Sequence, residues 1–304
     1  MAAFNAENRF HLSSVLMSTR NSNNDAVNLH FLTSNVILGQ SGNLGREFLN
    51  LYGASIGTIL IDRQLTKTWI SESSVSDIRS YLQAIRKKTQ KLNLFVCTGM
   101  TDPKKEAEVN LVNNLFPKKI VEASENLDIR IITFGTVQED WNLNNHYIDS
   151  KRQFSMWLEQ SNTDYVCNFK LHTLYGGIRT DNNLFLSQII RCLESGIKFK
   201  MSSGLQIREY HHQAQVTEYI DFLLNSETLD HPHHISHGQP ISLRNLAEYI
   251  FDRFCVKELL DIDHSINVQE DNFNRVYDRT IPGRFDPDFS LVRIGDWIER
   301  RLHE

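Results

Sequence analysis

Positive charge is nowhere in surplus in this sequence. Its 304 residues carry 32 Lys and Arg against 37 Asp and Glu, for a net charge of -5 and an isoelectric point near 6.2. That removes the electrostatic footing for nucleic acid or an anionic membrane surface as partner. Cysteine is scarce too: Cys97, Cys167, Cys192 and Cys255 have no metal-ligand spacing, and three of them lie in apolar runs. No disulfide framework is expected, only buried reduced thiols of a cytosolic kind. No apolar stretch approaches the roughly 20 residues of a membrane span, and no basic segment followed by an apolar one marks the start of the chain. A soluble, cytoplasmic protein is the expectation. Internal repeats and low-complexity tracts are lacking as well.

What the sequence does have is an early glycine turn. In Ser34-Asn-Val-Ile-Leu-Gly-Gln-Ser-Gly-Asn-Leu-Gly-Arg-Glu-Phe48 a short apolar run meets Gly39, Gly42 and Gly45, and Phe48, Leu49, Leu51 and Tyr52 follow in an amphipathic pattern. Strand, tight turn and helix in that order make a phosphate-binding turn. Glycine lets backbone approach a pyrophosphate and helix approach strand, while free N–H groups at the helix start favour an anion. Gly39, Ser41, Gly42, Asn43, Leu44 and Gly45 are therefore candidate cofactor contacts. About 20 residues on, Gly57-Thr-Ile-Leu-Ile-Asp62 reads as a second buried strand whose terminal carboxylate can hold a ribose diol. Arg63, next to it, suits a 2′-phosphate, so NAD and NADP both stay open.

Strands and helices alternate from there. The pattern predicts strands over 36–39, 57–62, 67–70, 92–97, 129–134 and 165–171, with helices over 43–53, 75–88, 106–125 and 148–160. Ser74 is the expected cap of the second helix. Such alternation implies an α/β fold, a Rossmann-type doubly wound parallel sheet that binds ligands at its strand carboxyl ends. Beyond Tyr175 the pattern loosens into helices over 184–195, 216–224 and 243–254 and a strand over 198–201. The expected organisation is an N-terminal arm (1–34), a dinucleotide-binding domain (35–176) and a mainly substrate-binding, smaller C-terminal domain (177–304), with room for some of its segments to return to the sheet.

Tyr147 and Lys151 lie four residues apart and share one helix face. An ammonium beside a phenol is expected to lower the phenol's pKa toward the range useful for acid/base work. The strand before that helix ends in Thr133-Phe-Gly-Thr136, whose hydroxyls are candidates to hold a reacting oxygen. His211, His212, His231, His233 and His234 read as loop histidines, and no metal is expected.

These marks together resemble the extended short-chain dehydrogenase/reductase family, the NAD-dependent epimerase/dehydratases of nucleotide sugars. The resemblance runs from about Asn35 onward and rests on Gly39-Gln-Ser-Gly42-Asn-Leu-Gly45, Val96-Cys-Thr-Gly99, Tyr147 with Lys151, Leu174-Tyr-Gly176, and Gly204-Leu-Gln-Ile-Arg-Glu-Tyr-His-His212. It implies that Cys97, Thr98 and Gly99 line the cofactor site and that Tyr147 and Lys151 are catalytic while also touching the cofactor. It also implies that Arg208 clamps the substrate diphosphate, with Thr173 and Arg284 on the substrate side. The run Asn114-Leu-Phe-Pro117 and the segment after Tyr147 look closest to nucleotide-sugar 4-ketoreductases such as CDP-paratose and abequose synthases. The implied function is NAD(P)-dependent reduction of a 4-keto hexose in deoxysugar biosynthesis, in a homodimer packed through the helix bearing Phe154, Trp157 and Leu158. The sequence departs from the family at Phe134, where the catalytic Ser or Thr usually stands. Thr136 then becomes the preferred hydroxyl and Thr133 the second choice. Three alternatives accompany this reading: an epimerase, a 4,6-dehydratase disfavoured by the lack of an Asp-Glu pair after position 134, and a dinucleotide-binding sensor or structural protein with a degenerate site.

Overall fold

The computed structural model describes residues 31–55, 57–102, 104–141, 145–161, 163–177, 184–226, 233–263, 277–282, 285 and 291–303. Their elements run β1 (Phe31–Leu38), α1 (Asn43–Tyr52), β2 (Thr58–Ile61), α2 (Arg63–Ser71), α3 (Val75–Arg86), β3 (Thr89–Val96) and α4 (Glu106–Asn110). A π-helical turn (Leu111–Leu115) leads to α5 (Phe116–Ser124), then β4 (Ile129–Thr136), α6 (His146–Gln160), β5 (Val166–Leu171), β6 (Thr173–Tyr175) and α7 (Phe185–Ser195). The rest comprises β7 (Phe199–Met201), β8 (Ile207–Arg208), β9 (Tyr210–His212), α8 (Gln213–Leu224), β10 (His233–His234), β11 (Ile241–Ser242), α9 (Leu243–Arg253), β12 (Leu260–Ile262) and α10 (Leu291–His303).

Six strands form one sheet in the order β10-β5-β4-β3-β1-β2, every neighbouring pair parallel. Parallel strands need a helical crossover on each face, so their side chains bury on both sides. All six residues of β5 are buried accordingly. One face packs Val36, Leu94 and Ile131 against α3, α5 and α6; the other packs Ile37, Phe95 and Ile132 against α1 and α8. A third core, built from α7, α9, α10 and the short strands β7 and β9, belongs to the later part of the chain. The α/β, Rossmann-type expectation is borne out.

Three local expectations are not. Residues 67–70 are not a strand but part of α2. Asp62 accepts a hydrogen bond from the Leu65 N–H at 2.8 Å and so caps a helix directly after β2. Trp69 then buries edge-on against Tyr81, ring centres 5.2 Å apart. Among the described residues the sheet thereby lacks the strand that lies outside β2 in the 3-2-1-4-5-6 order of a full Rossmann fold, and carries β10 at its other margin. Second, the helix expected over 106–125 is interrupted by the π turn. Pro117 lacks an N–H to donate to Asn113, and the widened turn absorbs the lost bond. Third, His211, His212, His233 and His234 are not loop residues: the first two lie in β9, paired with β6, and the last two pair with Phe169 and Lys170 as the outer strand β10. The segment expected as an arm has its last four residues in β1, and residues 1–30 lie outside the described residues, as does His231.

Candidate active site at the sheet switch point

The strand order reverses beside β1: α1, which follows β1, covers one face of the sheet and α5, which follows the neighbouring β3, covers the other, and Gly39 comes directly after β1 at this place. Its φ is +80°, and a Cβ there would come within 2.9 Å of backbone atoms of Cys97 and Thr98. Only glycine lets the turn lie against the end of β3. A Cβ on Gly45 would sit 2.3 Å from the Gly39 carbonyl oxygen, so this glycine sets how closely α1 approaches the turn. Gly42 is different: its N–H donates to Gly39 O at 2.9 Å and it precedes α1, but nothing crowds the place where a Cβ would stand closer than 3.4 Å. The first and third glycines thus serve packing, and the second leaves room at the helix N-terminus. Beside the turn, the Thr98 hydroxyl is buried without a hydrogen-bond partner. Buried hydroxyls are rarely left so, and an orphan here fits a cofactor contact. Asp62 is exposed and spends one carboxylate oxygen on its cap, and Arg63 is exposed next to it.

Helix α6 presents the second group. Asn145 caps it by accepting from the Tyr147 N–H at 2.9 Å. Tyr147 is half-buried, and its hydroxyl makes no hydrogen bond to a described residue. Lys151 is buried, and its Nζ donates to Phe134 O at 2.8 Å, at the end of β4. Burial, reinforced by the Glu139 carboxylate, pushes the phenol up to about 12. Burial likewise draws Lys151 down to about 8, against the opposing pull of Glu139 and Cys97. The expected lowering of the phenol by Lys151 is therefore overturned: the ammonium is committed to a strand-end carbonyl, and the charge that reaches the phenol is negative. Cys97, whose thiol burial pushes up and Lys151 draws back down, ties this pair electrostatically to the glycine turn.

The hydroxyls of β4 separate by face. Thr133 donates to Asn168 Oδ1 at 3.0 Å, inside the sheet-to-α6 layer. Phe134 points to the other face, its ring 5.7 Å from Phe48 and 6.5 Å from Phe169. Thr136 lies on the side of Phe134. Its oxygen accepts from the Gln138 N–H at 3.3 Å, and its own N–H donates to Glu139 Oε1 at 2.7 Å. Arg208 stacks over the Trp141 ring at 4.8 Å and donates to Ile207 O. Thr173 sits half-buried on β6, in the wall of a pocket shared with Asn43, Tyr175, Gly177 and Trp297. Arg284 lies outside the described residues.

Sequence reasoning missed the buried polar groups between these parts. Glu139 accepts from Ser155 Oγ at 2.6 Å and lies 3.8 Å from Lys170. Lys170 and His234 both reach Asp140, and these contacts outweigh burial and hold its carboxyl well below the usual range. Glu209 sits with His172, His211 and His237. Burial pushes the first two imidazoles down to about 3 and the third to about 4, so all three are neutral at physiological pH. The one available signal was Glu209-Tyr-His211, an i, i+2 pair that a strand turns to one side.

Sheet order and glycine turn together define an α/β protein with a Rossmann-type fold. No protein-family model matches the sequence, and no curated protein matches it either. Solved structures do share its fold. The enzyme WbmG of Bordetella bronchiseptica, in complex with NAD, superposes with a TM-score of 0.65 at 14% identity over 89% of this chain and 94% of that one. A UDP-N-acetylglucosamine 4-epimerase from Methanobrevibacter ruminantium, in complex with UDP-N-acetylmuramic acid, gives 0.66 at 14% identity over 89% and 97%. A dTDP-4-dehydrorhamnose reductase from Bacillus anthracis, in complex with NADP, gives 0.65 at 17% identity over 89% and 97%.

Proposed function

We propose that this chain is an NAD(P)-dependent oxidoreductase of a nucleotide-linked sugar, and that it reduces a 4-keto hexose. The observation that supports this reading is the Lys151 hydrogen bond to Phe134 O at the end of β4, with Tyr147 one turn earlier on the same helix and Lys151 in electrostatic reach of Cys97 beside the glycine turn. The nucleotide cofactor, when bound, supplies the hydride. Tyr147, with an uncommitted hydroxyl and a raised pKa, holds its proton across the physiological range and donates it to the ketone oxygen. The likeness of Asn114-Leu-Phe-Pro117 and of the segment after Tyr147 to nucleotide-sugar 4-ketoreductases favours a reductase over an epimerase. Lys151 holds the ribose of the cofactor, and Thr136, whose O–H proton has no acceptor among the described residues, steadies the reacting oxygen. Arg208, a planar fork fixed on Trp141, clamps the diphosphate and orients the sugar. Gly39 to Gly45 cradle the cofactor phosphates, with Thr98 beside them. The free oxygen of Asp62 suits an NAD ribose, and Arg63 would accept the 2′-phosphate of NADP.

The experiment is reduction of a panel of 4-keto nucleotide sugars with NADH or NADPH. Tyr147→Phe is expected to abolish turnover with cofactor affinity largely intact; near-normal activity in that variant would refute the assignment. A second reading rests on Phe134: with a ring packed where the family keeps a hydroxyl, the chain would hold a dinucleotide without oxidising it. Mass spectrometry of small molecules released from the denatured protein identifies the cofactor and the sugar in either case. A homodimer through α6 belongs to the proposal, supported by Met156 and Leu115, which are 50% and 47% exposed. So does a cytoplasmic location. Among the described residues no helix is long and apolar enough to cross a membrane.

A further inference from the structure

We infer that His172, Glu209 and His211 form a site for one divalent transition-metal ion of the zinc type. Three observations carry this, none of them drawn from the proposed reaction.

The first is spacing. His211 Nε2 lies 3.1 Å and His172 Nε2 3.8 Å from Glu209 Oε2, and the three atoms fall within 4.8 Å of one another. Ligand atoms bonded at about 2.0–2.1 Å to a tetrahedral ion stand roughly 3.3 Å apart, between the two measured separations. Small side-chain adjustments would close the set. The second is an orphan. The His172 side chain is 5% exposed, and its Nε2, which faces Glu209, is buried with no hydrogen-bond partner. The third is charge. The Glu209 side chain is 2% exposed, and among the described residues only histidines come within ion-pair distance of it, never lysine or arginine. A buried carboxylate is costly without a cation.

The surroundings supply the support that ligands need. Ser236 Oγ donates to both Glu209 oxygens, at 2.9 and 3.0 Å, and the His237 N–H donates to Oε2 at 3.1 Å. Such outer hydrogen bonds fix the orientation of a ligating carboxylate. His237 itself is not a ligand, because its Nδ1 accepts from the Gln239 N–H and its Nε2 lies 3.3 Å from Tyr210 O. Two imidazoles and one carboxylate suit zinc, cobalt or ferrous iron, whereas calcium and magnesium ask for more oxygens. Three protein ligands leave a fourth position open. The ion would join the end of β5 to β9. This departs from the sequence expectation of no metal, which considered histidines clustered along the chain and did not consider His172.

The test uses full-length, tag-free protein stripped with EDTA. Cobalt(II) is titrated in, the visible spectrum followed, and zinc then added in competition, with metal content measured by elemental analysis. Expected are one ion per chain, the strong visible absorption of four- or five-coordinate cobalt, displacement by zinc and a raised melting temperature. His172→Ala should weaken zinc by more than the ~10–100-fold that loss of an outer partner costs, and His211→Gln likewise. The stripped protein and its variants should bind dinucleotide equally well, which separates this inference from the proposed function. No cobalt binding by the wild-type chain, a weak six-coordinate spectrum, or zinc affinity unchanged in both variants would overturn it. The wild-type spectrum decides even if a variant fails to fold.

Discussion

Lys151 should cost the protein stability. Burial moves its pKa from 10.5 down to about 8, so keeping the ammonium charged inside the fold at pH 7 costs on the order of 3 kcal/mol relative to the unfolded chain. The sign follows from proton counting. Between pH 8 and 10.5 the unfolded lysine holds its proton while the folded one has released it, so the unfolded state binds more protons and stability rises with pH through that window. Lys151→Met lacks this dependence. It gains relief from the buried charge and loses the charged hydrogen bond to Phe134 O, worth about 1.5–3 kcal/mol. Denaturant unfolding of wild type and variant at pH 7 and pH 9.5 isolates the titration of this lysine, because every other ionisable group is common to the two proteins. Wild type should gain about 2 kcal/mol on the variant between these two conditions. The variant should match or exceed wild-type stability at pH 7 while losing turnover. A stability difference that stays flat with pH would refute a buried, charged Lys151.

Two further expectations test other parts of the structure. Gly42→Ala meets only ordinary van der Waals contact and should leave stability within about 0.5 kcal/mol of wild type while weakening dinucleotide binding at least tenfold; Gly45→Ala meets backbone and should cost about 1–3 kcal/mol. Parallel melting and cofactor titrations check the pair, and equal stability losses would contradict the division of labour in the turn. Lys119 donates to the carbonyls of Trp69, Ile70 and Ser73 at 3.1–3.2 Å. Lys119→Met should therefore cost about 2 kcal/mol in denaturant unfolding, and a neutral result would mean the end of α2 is not anchored there.

The parts legible in the sequence were those written in local spacing. Gly39, Gly42 and Gly45 announce the turn because each answers a backbone demand within a few residues, and Tyr147 and Lys151 share a helix face at any four-residue separation. What the spacing cannot carry is environment. The phenol's rise depends on Glu139 and on burial supplied by other segments. The stretch from Lys67 to Ile70 reads as a strand by its local pattern and is helical because Asp62 caps a helix that starts directly after β2. His233 and His234 have no apolar pattern and become a strand only through β5. Glu209 meets His172 across the fold, a meeting that pattern along the chain does not express.

Both margins of the main sheet are its shortest strands, with four residues in β2 and two in β10. A long bare margin offers a foreign strand a ready row of amide partners. This sheet exposes little of that kind among the described residues. Zipping of one copy onto another along a strand is thereby discouraged, and association through helices is left as the route of least resistance.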